Sequence, residues 1–256
     1  MADERPARID LSRPRAWGEL LAATIDIFRR HADVLFTLAV ILVTPATLLV
    51  DGVWGGALAD GVDANPSIAS QAVSAALSVF VILPLITAAT TLIVRGLGEG
   101  QAPTTVGDAL RTGLGAFPRV LAAVLTYVVV VFAGFLLFVV PGIWLGVRCY
   151  FAAQAAALED LGPAAALRRS TDVVKGQWWR TAGCLLATGL LFGIGGSIIV
   201  GALGATGSGA LYVAGITIVE AVAVSLTAIF ATLLFFDLRV RKEGRPLGDR
   251  PERMTP

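Results

Sequence analysis

Long apolar runs dominate the chain, and short polar segments separate them. A helix needs about 20 residues, most of them apolar, to cross the ~30 Å hydrocarbon core of a bilayer. Six runs approach that length, and we predict that each forms a membrane-spanning helix: 34–50, 68–94, 120–140, 143–158, 181–203 and 210–236.

The third and fourth runs are separated only by Pro141 and Gly142, a pair that either reverses the chain or kinks one long helix. If the pair reverses the chain, six spans place 19 of the 20 Lys and Arg residues on one side of the membrane. The loops on the other side then hold Asp51, Asp60 and Asp63 and no basic residue. Because basic residues concentrate in cytoplasmic loops, we predict six spans with both termini in the cytoplasm.

The positions of the five tryptophans agree with this topology. Indole rings gather at both membrane–water interfaces. In the six-span prediction, Trp17, Trp178 and Trp179 lie at the cytoplasmic boundary, whereas Trp54 and Trp144 lie at the outer boundary.

Three further segments have helical periodicity but too many polar residues to cross a bilayer. In segment 15–31, apolar residues recur at helical spacing and charged residues take the other positions. Segments 106–119 and 164–180 combine small and apolar residues with a basic group just before a span. We predict amphipathic helices that lie at the interface, each preceding a two-span hairpin, so that one unit is repeated three times.

The composition excludes an ordinary soluble globular protein. Hydrophobic residues make up 56% of the 256 residues, charged residues make up 15%, and mean hydropathy is +0.78. Soluble domains carry about 25% charged residues. The formal net charge of +1 does not indicate nucleic-acid binding. Abundant Arg, Ala, Gly and Val are typical of a GC-rich bacterium, so we expect a location in the bacterial cytoplasmic membrane.

These observations predict an all-α protein, a polytopic six-helix transmembrane bundle with short interfacial amphipathic helices. Residues 1–14 form a polar segment without the pattern of a cleavable signal peptide, so the first span is expected to anchor the chain. Residues 15–236 form one membrane domain. Residues 237–256, which are basic and contain several Gly and Pro, are expected to be a disordered cytoplasmic tail.

Three stretches resemble a known bacterial family. Residues 11–21 (LSRPRAWGELL) are similar to the opening of the multipass membrane domain found in YciC-like proteins and attached to some glycerophosphoryl diester phosphodiesterases. Residues 140–145 (VPGIWL) resemble the proline-glycine hairpin of that family. Its most recognisable segment is similar to three pieces of this chain: Leu158–Asp160, Ala166–Ser170 and Lys175–Arg180.

The resemblance covers about residues 11–236 and implies an integral membrane protein rather than an esterase. The phosphodiesterase unit of those proteins is a separate soluble barrel, and no polar segment of this chain is long enough to form one. The family has no agreed activity, so the resemblance implies no catalytic residue.

The residues themselves also indicate no enzymatic, metal or cofactor site. Cys149, Cys184 and His31 are too few for a metal site or a disulfide framework. Ser208 lies in the glycine-rich segment 204–209, but the only histidine, His31, precedes the first span on the opposite predicted face. The same segment lacks the lysine of a phosphate-binding loop. We therefore predict no catalytic residue, no metal and no cofactor.

Arg148 and Glu220 are the two charged residues predicted to lie well inside spans. A charged side chain in hydrocarbon is costly and is expected to have a partner or a water-filled cavity. One hypothesis is an ion, proton or polar-substrate pathway. The alternatives are a structural pair that joins the fourth and sixth spans, or an Arg148 side chain that reaches the lipid headgroups.

Small residues follow one another at four-residue steps along the fifth span. Small side chains let helix backbones approach closely, which is how spans associate in lipid. We therefore predict a helix-packing face formed by Gly189, Gly193, Ser197 and Gly201. Pro45 and Pro84 lie within the first two spans, where they indicate kinks, either static or part of a moving segment.

Basic residues next to tryptophan are typical of contacts with anionic lipid headgroups. The candidates for such contacts are Arg29, Arg30, Arg168, Arg169, Lys175 and Arg180. The positive-inside rule alone would also place these residues at the cytoplasmic face. The bilayer, including its anionic phospholipids, is therefore the expected partner, and the sequence leaves the oligomeric state open.

Two functional hypotheses follow. The leading hypothesis is a non-enzymatic accessory or scaffold protein connected with lipid or envelope physiology, because basic interfacial helices are present and catalytic groups are not. The alternative is a small-solute or lipid transporter that uses Arg148, Glu220 and the proline-containing spans. An intramembrane enzyme comes third, since paired acids or a Ser/His combination at matched depth are missing.

Overall fold

All regular secondary structure in the described part of the chain is helical. The computed structural model describes residues 14–54, 57–58, 67–100 and 105–243. In chain order the elements are α1 Trp17–Arg30, α2 Ala32–Thr47, a π-helix Leu48–Trp54, α3 Ile68–Leu77, a π-helix Ser78–Ile82, α4 Leu83–Gly98, α5 Val106–Leu137, α6 Val139–Cys149, α7 Ala152–Glu159, α8 Pro163–Val174, α9 Trp178–Gly204 and α10 Gly209–Glu243.

Five helices are long and apolar enough to cross a membrane: Ala32–Trp54, Ile68–Gly98, α5, α9 and α10. They correspond to the first, second, third, fifth and sixth predicted runs. An all-helical protein with helices of membrane-spanning length is therefore confirmed. The six-span count is not confirmed, because the fourth run, 143–158, is divided between the short helices α6 and α7.

The two π-helical segments lie close to prolines inside membrane-length helices. Pro45 lies three residues before the π-helix Leu48–Trp54, and Pro84 lies two residues after the end of the π-helix Ser78–Ile82. Proline removes a helical hydrogen bond, and π-helical turns widen the helix, so both bend its axis. Neither interrupts the helix, since Ile68–Gly98 continues through Pro84.

The amphipathic segments differ in what they form. Segment 15–31 contains the separate helix α1, as predicted. Segment 164–180 is also mostly a separate helix, but α8 begins at Pro163 and ends at Val174, and α9 begins at Trp178. Segment 106–119 is not a separate helix, because it forms the first part of the 32-residue helix α5, which continues through Pro118. The predicted repeat of surface helix plus hairpin therefore fails in its second copy.

The chain reverses between α5 and α6 at Phe138, three residues before the predicted pair. Phe138 has an extended backbone, with φ −167° and ψ 159°, that separates the two helices. Pro141 then lies in the first turn of α6, where a missing amide hydrogen costs no helical hydrogen bond. The helices approach closely at two glycines, since a Cβ added to Gly134 would lie 3.0 Å from the Cα of Gly142.

A break at Tyr150 and Phe151 separates α6 from α7, and Ser170 of α8 bridges it. The Ser170 hydroxyl donates to the carbonyl of Arg148 at 2.8 Å and accepts from the amide of Phe151 at 3.0 Å. Both Ser170 and Phe151 are fully buried. Because buried backbone groups need partners, this one hydroxyl makes the break possible.

The C-terminal half of α10 is the centre of the protein. Eleven consecutive residues, 228–238, are buried on every side of the helix. Around them lies the main hydrophobic core, to which α1, α4, α5, α7 and α8 contribute side chains such as Ile27, Val94, Val120, Ala155 and Val174. A smaller cluster joins α2, the second π-helix, α4 and the middle of α10.

The two ends of the described chain meet at one end of the molecule. The amide of Arg15 donates to Asp237 at 2.6 Å, and Arg241 donates to the carbonyl of Arg15 at 3.0 Å. Arg180 also bonds Asp237, which brings the start of α9 to the same place. We call the region that holds Arg15, Arg180, Asp237 and Arg241 the charged end.

Two predictions about the ends of the membrane domain need correction. The tail predicted to be disordered from residue 237 is helical through Glu243, because Asp237 and Leu238 are buried in the core; residues 244–256 lie outside the described ranges.

Trp144 and Trp178, predicted at opposite faces, are in contact: the Trp178 indole donates to the Trp144 carbonyl at 3.3 Å. The α5–α6 turn is therefore not opposite the start of α9.

Candidate functional site

Arg148 does not pair with Glu220. Its guanidinium stacks on the indole of Trp144, 4.4 Å from the ring centroid. Phe151, three residues further on, packs against Phe235 of α10 with ring centroids 5.9 Å apart. Glu220 precedes Phe235 by 15 residues, or about 22 Å of helix. The predicted pair is wrong because the broken fourth run leaves Arg148 close to the charged end.

Glu220 lies instead among polar side chains at the other end of α10. Its carboxylate accepts a hydrogen bond from the Ser78 hydroxyl at 3.3 Å, and Asp51 is close enough to repel it electrostatically. Thr47 and Thr217 share a hydrogen bond of 2.7 Å in the same part of the bundle. Ser78 and Asp51 both belong to π-helical segments. These groups form a small polar cluster between the end of α2, both π-helical segments and α10.

One charge cluster surrounds Asp237, whose side chain is 1% exposed. One carboxylate oxygen accepts from the amide of Arg15, and the other accepts from Arg180 and Arg241, each at 2.9 Å. Arg180 also donates to the Arg15 carbonyl at 2.5 Å. Since both arginines are engaged with one buried acid, Arg180 acts here as a structural residue rather than a free lipid contact.

A second cluster alternates charges between α7, α8 and α10. Arg169 donates to both oxygens of Glu159 at 2.9 Å and lies 2.6 Å from a carboxylate oxygen of Glu243. Arg239 completes the ring by bonding Glu243 at 3.1 Å. Burial alone would lower the pKa of the Arg169 guanidinium, but hydrogen bonds to Glu243 and Glu159 outweigh it and raise that pKa above its ordinary value. Arg169 is therefore also structural.

The other predicted lipid contacts stay exposed. Arg30 pairs with Asp26 of its own helix at 2.8 Å, with both side chains more than half exposed. Arg29, Arg168 and Lys175 are exposed and have no acidic partner within the described ranges. These cations are available to anionic lipid, whereas Arg169 and Arg180 are not.

The small-residue ladder of α9 faces outward. A Cβ added to Gly189, Gly193 or Gly201 would meet no atom within 4 Å, and Ser197 is exposed. Contact with α10 is made at Gly196, where an added Cβ would lie 2.9 Å from a Val219 methyl group. The predicted packing face is therefore wrong within this chain, because the helix turns a different side toward its neighbour.

An apolar cleft lies where α6 meets the start of α9. It has a volume of about 410 Å³ and is lined by Val140, Ile143, Trp144, Trp178 and Trp179. The Trp179 side chain is 84% exposed at its mouth. The sequence provides each of these residues but no signal that they meet, because it predicts Trp144 and Trp178 on opposite faces. We call this feature the tryptophan cleft.

Residues considered for other chemistry lie apart from one another. Cys149 and Cys184 are free thiols buried in different helices. Ser208 lies in the turn before α10, where its hydroxyl accepts from the Leu211 amide. In the described part of the chain, no three His, Cys, Asp or Glu side chains come together as a metal site would require. Comparisons with protein-family models, curated proteins and solved structures find no match for this chain.

Proposed function

We propose that this protein is a non-enzymatic accessory or scaffold protein of the bacterial cytoplasmic membrane, whose charged end meets anionic phospholipids. The observation that carries the proposal is the filled centre of the molecule. Residues 228–238 of α10 are buried on all sides, and two ion-pair clusters close the end of that helix. Such a body suits a rigid platform better than a pathway for solutes. We also propose that the chain belongs to the family that residues 11–236 resemble, but the scaffold proposal does not depend on that membership.

The arrangement in the bilayer is part of the proposal. A chain whose ends share one side crosses the membrane an even number of times, yet five helices have the length to cross. We therefore assign complete crossings to Ala32–Trp54, Ile68–Gly98, α9 and α10. The α5–α6 hairpin then enters and leaves on the side of the charged end, which the positive-inside rule places in the cytoplasm.

Exposed cations support the lipid contact. Arg29, Arg168 and Lys175 extend from α1, α8 and the turn after α8, the elements that pack around the end of α10. Each basic residue near an anionic bilayer surface contributes about 1 kcal/mol of attraction. Energy transfer from labelled protein to labelled phosphatidylglycerol in mixed vesicles should therefore fall in an Arg168→Gln, Lys175→Gln double variant.

The same vesicles test the absence of transport. Protein reconstituted in phosphatidylcholine and phosphatidylglycerol should leave the permeability to protons and small anions at the level of protein-free vesicles. An Arg169→Lys variant, which keeps the charge in the second cluster, is the control for the energy-transfer measurement and should match the wild type. If the Arg168→Gln, Lys175→Gln double variant left the energy transfer to phosphatidylglycerol unchanged, the proposed contact would be contradicted.

Transport is the second candidate, and the polar cluster around Glu220 favours it. A carboxylate held by Ser78 beside a π-helical segment is unusual within membrane helices, where ionisable groups are often functional. If Glu220 carries an ion or proton, reconstituted protein should raise permeability above that of empty vesicles, and Glu220→Gln should abolish the increase. That result would replace the scaffold proposal.

A further inference from the structure

The tryptophan cleft and Arg148 together have the features of a phospholipid site. The cleft is apolar, and its volume of about 410 Å³ falls within the range of about 300–1,000 Å³ typical of small-molecule pockets. One of its walls is the Trp144 indole, and Arg148 stacks on that same indole. An apolar cleft and a cation therefore meet at one aromatic ring.

Arg148 has no acidic partner among the residues that the structure describes. By contrast, Arg119, Arg169, Arg180, Arg239 and Arg241 each pair with an acid. Stacking on an indole stabilises a guanidinium but leaves its N–H groups free to donate to an anion. Guanidinium groups match the oxygens of a phosphate. Charge complementarity therefore calls for an anionic group beside the cleft.

The location fits a lipid better than a soluble ligand. Trp178 begins α9, and Arg180, two residues later, belongs to the charged end, so the cleft lies where a membrane helix meets the polar boundary. Val140 and Ile143, at the hairpin end of the cleft, are exposed and are directed to lipid in the proposed arrangement. Indoles gather at that boundary because they present both an apolar ring and a polar N–H group.

We propose that one anionic phospholipid binds here, with an acyl chain in the tryptophan cleft and its phosphate on Arg148. This inference depends on the part of the proposed function that puts the charged end in an anionic leaflet. It adds a discrete bound molecule, which general attraction to the bilayer surface does not require.

Native mass spectrometry of the purified, delipidated full chain, titrated with phosphatidylglycerol, tests this site. Arg148→Gln should weaken binding about five-fold, as expected for the loss of one cation near a phosphate, and Arg148→Lys should retain most of it. Ile143→Trp, which fills the cleft, should weaken phosphatidylglycerol and phosphatidylcholine alike. Excess inorganic phosphate should not displace the lipid.

Two matched variants control for general effects. Arg111→Gln removes an exposed cation from α5, and Leu190→Trp enlarges an exposed apolar residue of α9; neither should change binding. Folding of each variant is checked by its thermal unfolding. Wild-type affinity in both folded Arg148→Gln and folded Ile143→Trp would overturn the site, and displacement by inorganic phosphate would overturn the lipid as its occupant. The scaffold proposal is tested by energy transfer to labelled lipid and by vesicle permeability. Absence of this binding site would therefore leave the scaffold proposal standing.

Discussion

At the scale of single residues, Asp237 has the largest structural role at the charged end. Its buried carboxylate links Arg15, two residues before α1, with the first turn of α9 and the last turns of α10 through three different donors. Arg180 and Arg241 carry like charges that would repel each other without the carboxylate of Asp237 between them. A single side chain thus connects three parts of the sequence that are 57 and 222 residues apart.

Asp237→Asn should destabilise the protein. The amide keeps the shape of the side chain but removes the charge that balances Arg180 and Arg241. Breaking a buried ion pair costs about 3–5 kcal/mol, and we expect about 2–3 kcal/mol because each arginine is roughly a quarter exposed. Denaturation in detergent, followed by tryptophan fluorescence, measures the loss.

Asp26→Asn is the matched control for that substitution. Asp26 pairs with Arg30 on the surface of α1, where both side chains are more than half exposed. Exposed pairs contribute about 0–1 kcal/mol, so this variant should unfold close to the wild type. Equal losses in the two variants would mean that burial of Asp237 has no energetic effect.

Ser170→Ala should destabilise the α6–α7 break. The substitution leaves the Arg148 carbonyl and the Phe151 amide without a partner in a buried place, which costs about 1–3 kcal/mol. Hydrogen exchange at the Phe151 amide should accelerate. Thr171→Ala, which removes a hydroxyl bonded to the Arg168 carbonyl at an exposed position, should leave that exchange unchanged.

The sequence could predict which residues carry unusual chemistry but not their partners. Arg148 and Glu220 stand out because they are charged within apolar runs, yet their neighbours depend on a helix break that no local pattern announces. Asp237 was missed because it follows the last apolar run directly and so resembles part of a tail. The four-residue spacing of Asp237 and Arg241 was the available signal, since such pairs stabilise a helix.

At the scale of elements, hydrophobic length predicted the long helices and failed for the fourth run. Runs of 17 or more apolar residues became helices of membrane length, whereas the 16 residues of 143–158 became α6 and α7. The run contains Arg148 and Gln154, and its break is stabilised by Ser170, which lies 19 residues after Phe151. A partner so distant in sequence is outside the reach of periodicity.

Gly196→Leu should weaken the contact between α9 and α10. An added Cβ lies 2.9 Å from a Val219 methyl group, and overpacking of this kind costs about 1–3 kcal/mol. Gly193→Leu provides the comparison, because its Cβ would meet no atom within 4 Å and the gain in helix propensity is the same. Thermal unfolding of the two variants should therefore differ, with Gly196→Leu the less stable.

The opposite order of stability would restore the packing face predicted from the sequence. Four-residue spacing identified a stripe of small residues correctly but not the side of α9 that contacts α10. Gly196 lies outside the stripe, three residues beyond Gly193. Because residues on all sides of α9 are apolar or small, the sequence of α9 alone does not show which side packs against α10.

At the scale of the whole molecule, the charge distribution and the contacts agree that the two ends of the described chain share one side. The positive-inside pattern predicts this arrangement, and the bonds from Arg15 to Asp237 and from Arg241 to Arg15 are consistent with it. The depth of the α5–α6 hairpin could not be read from the same pattern. A hairpin that returns after crossing fully and one that returns midway leave identical charges at its base.

Labelling of single introduced cysteines should distinguish these two arrangements. Phe138 precedes Trp144 by six residues, about 9 Å of helix, and Trp144 contacts the start of α9, so in the proposed arrangement the turn lies well short of the ~30 Å that separates the faces. We expect a membrane-impermeant maleimide to label Lys175→Cys from one side, Ser208→Cys from the other, and Phe138→Cys from neither.

The native Cys149 and Cys184 do not interfere with that measurement, because both are buried. Solubilisation in detergent should make Phe138→Cys reactive, which controls for a thiol hidden inside the protein. Labelling of Phe138→Cys from the same side as Ser208→Cys would establish a complete crossing and return the count to six spans.

The helix at the centre of this protein is also the last helix in the described part of the chain, so the ribosome makes it after α1–α9. Until residues 228–238 leave the exit tunnel, the inward faces of α1, α4, α7 and α8 lack the helix against which they pack. Assembly of the charged end therefore waits until α10 has been made. A ribosome that stalls before Asp237 would leave an inserted chain whose helices are incompletely packed, the kind of species that aggregates.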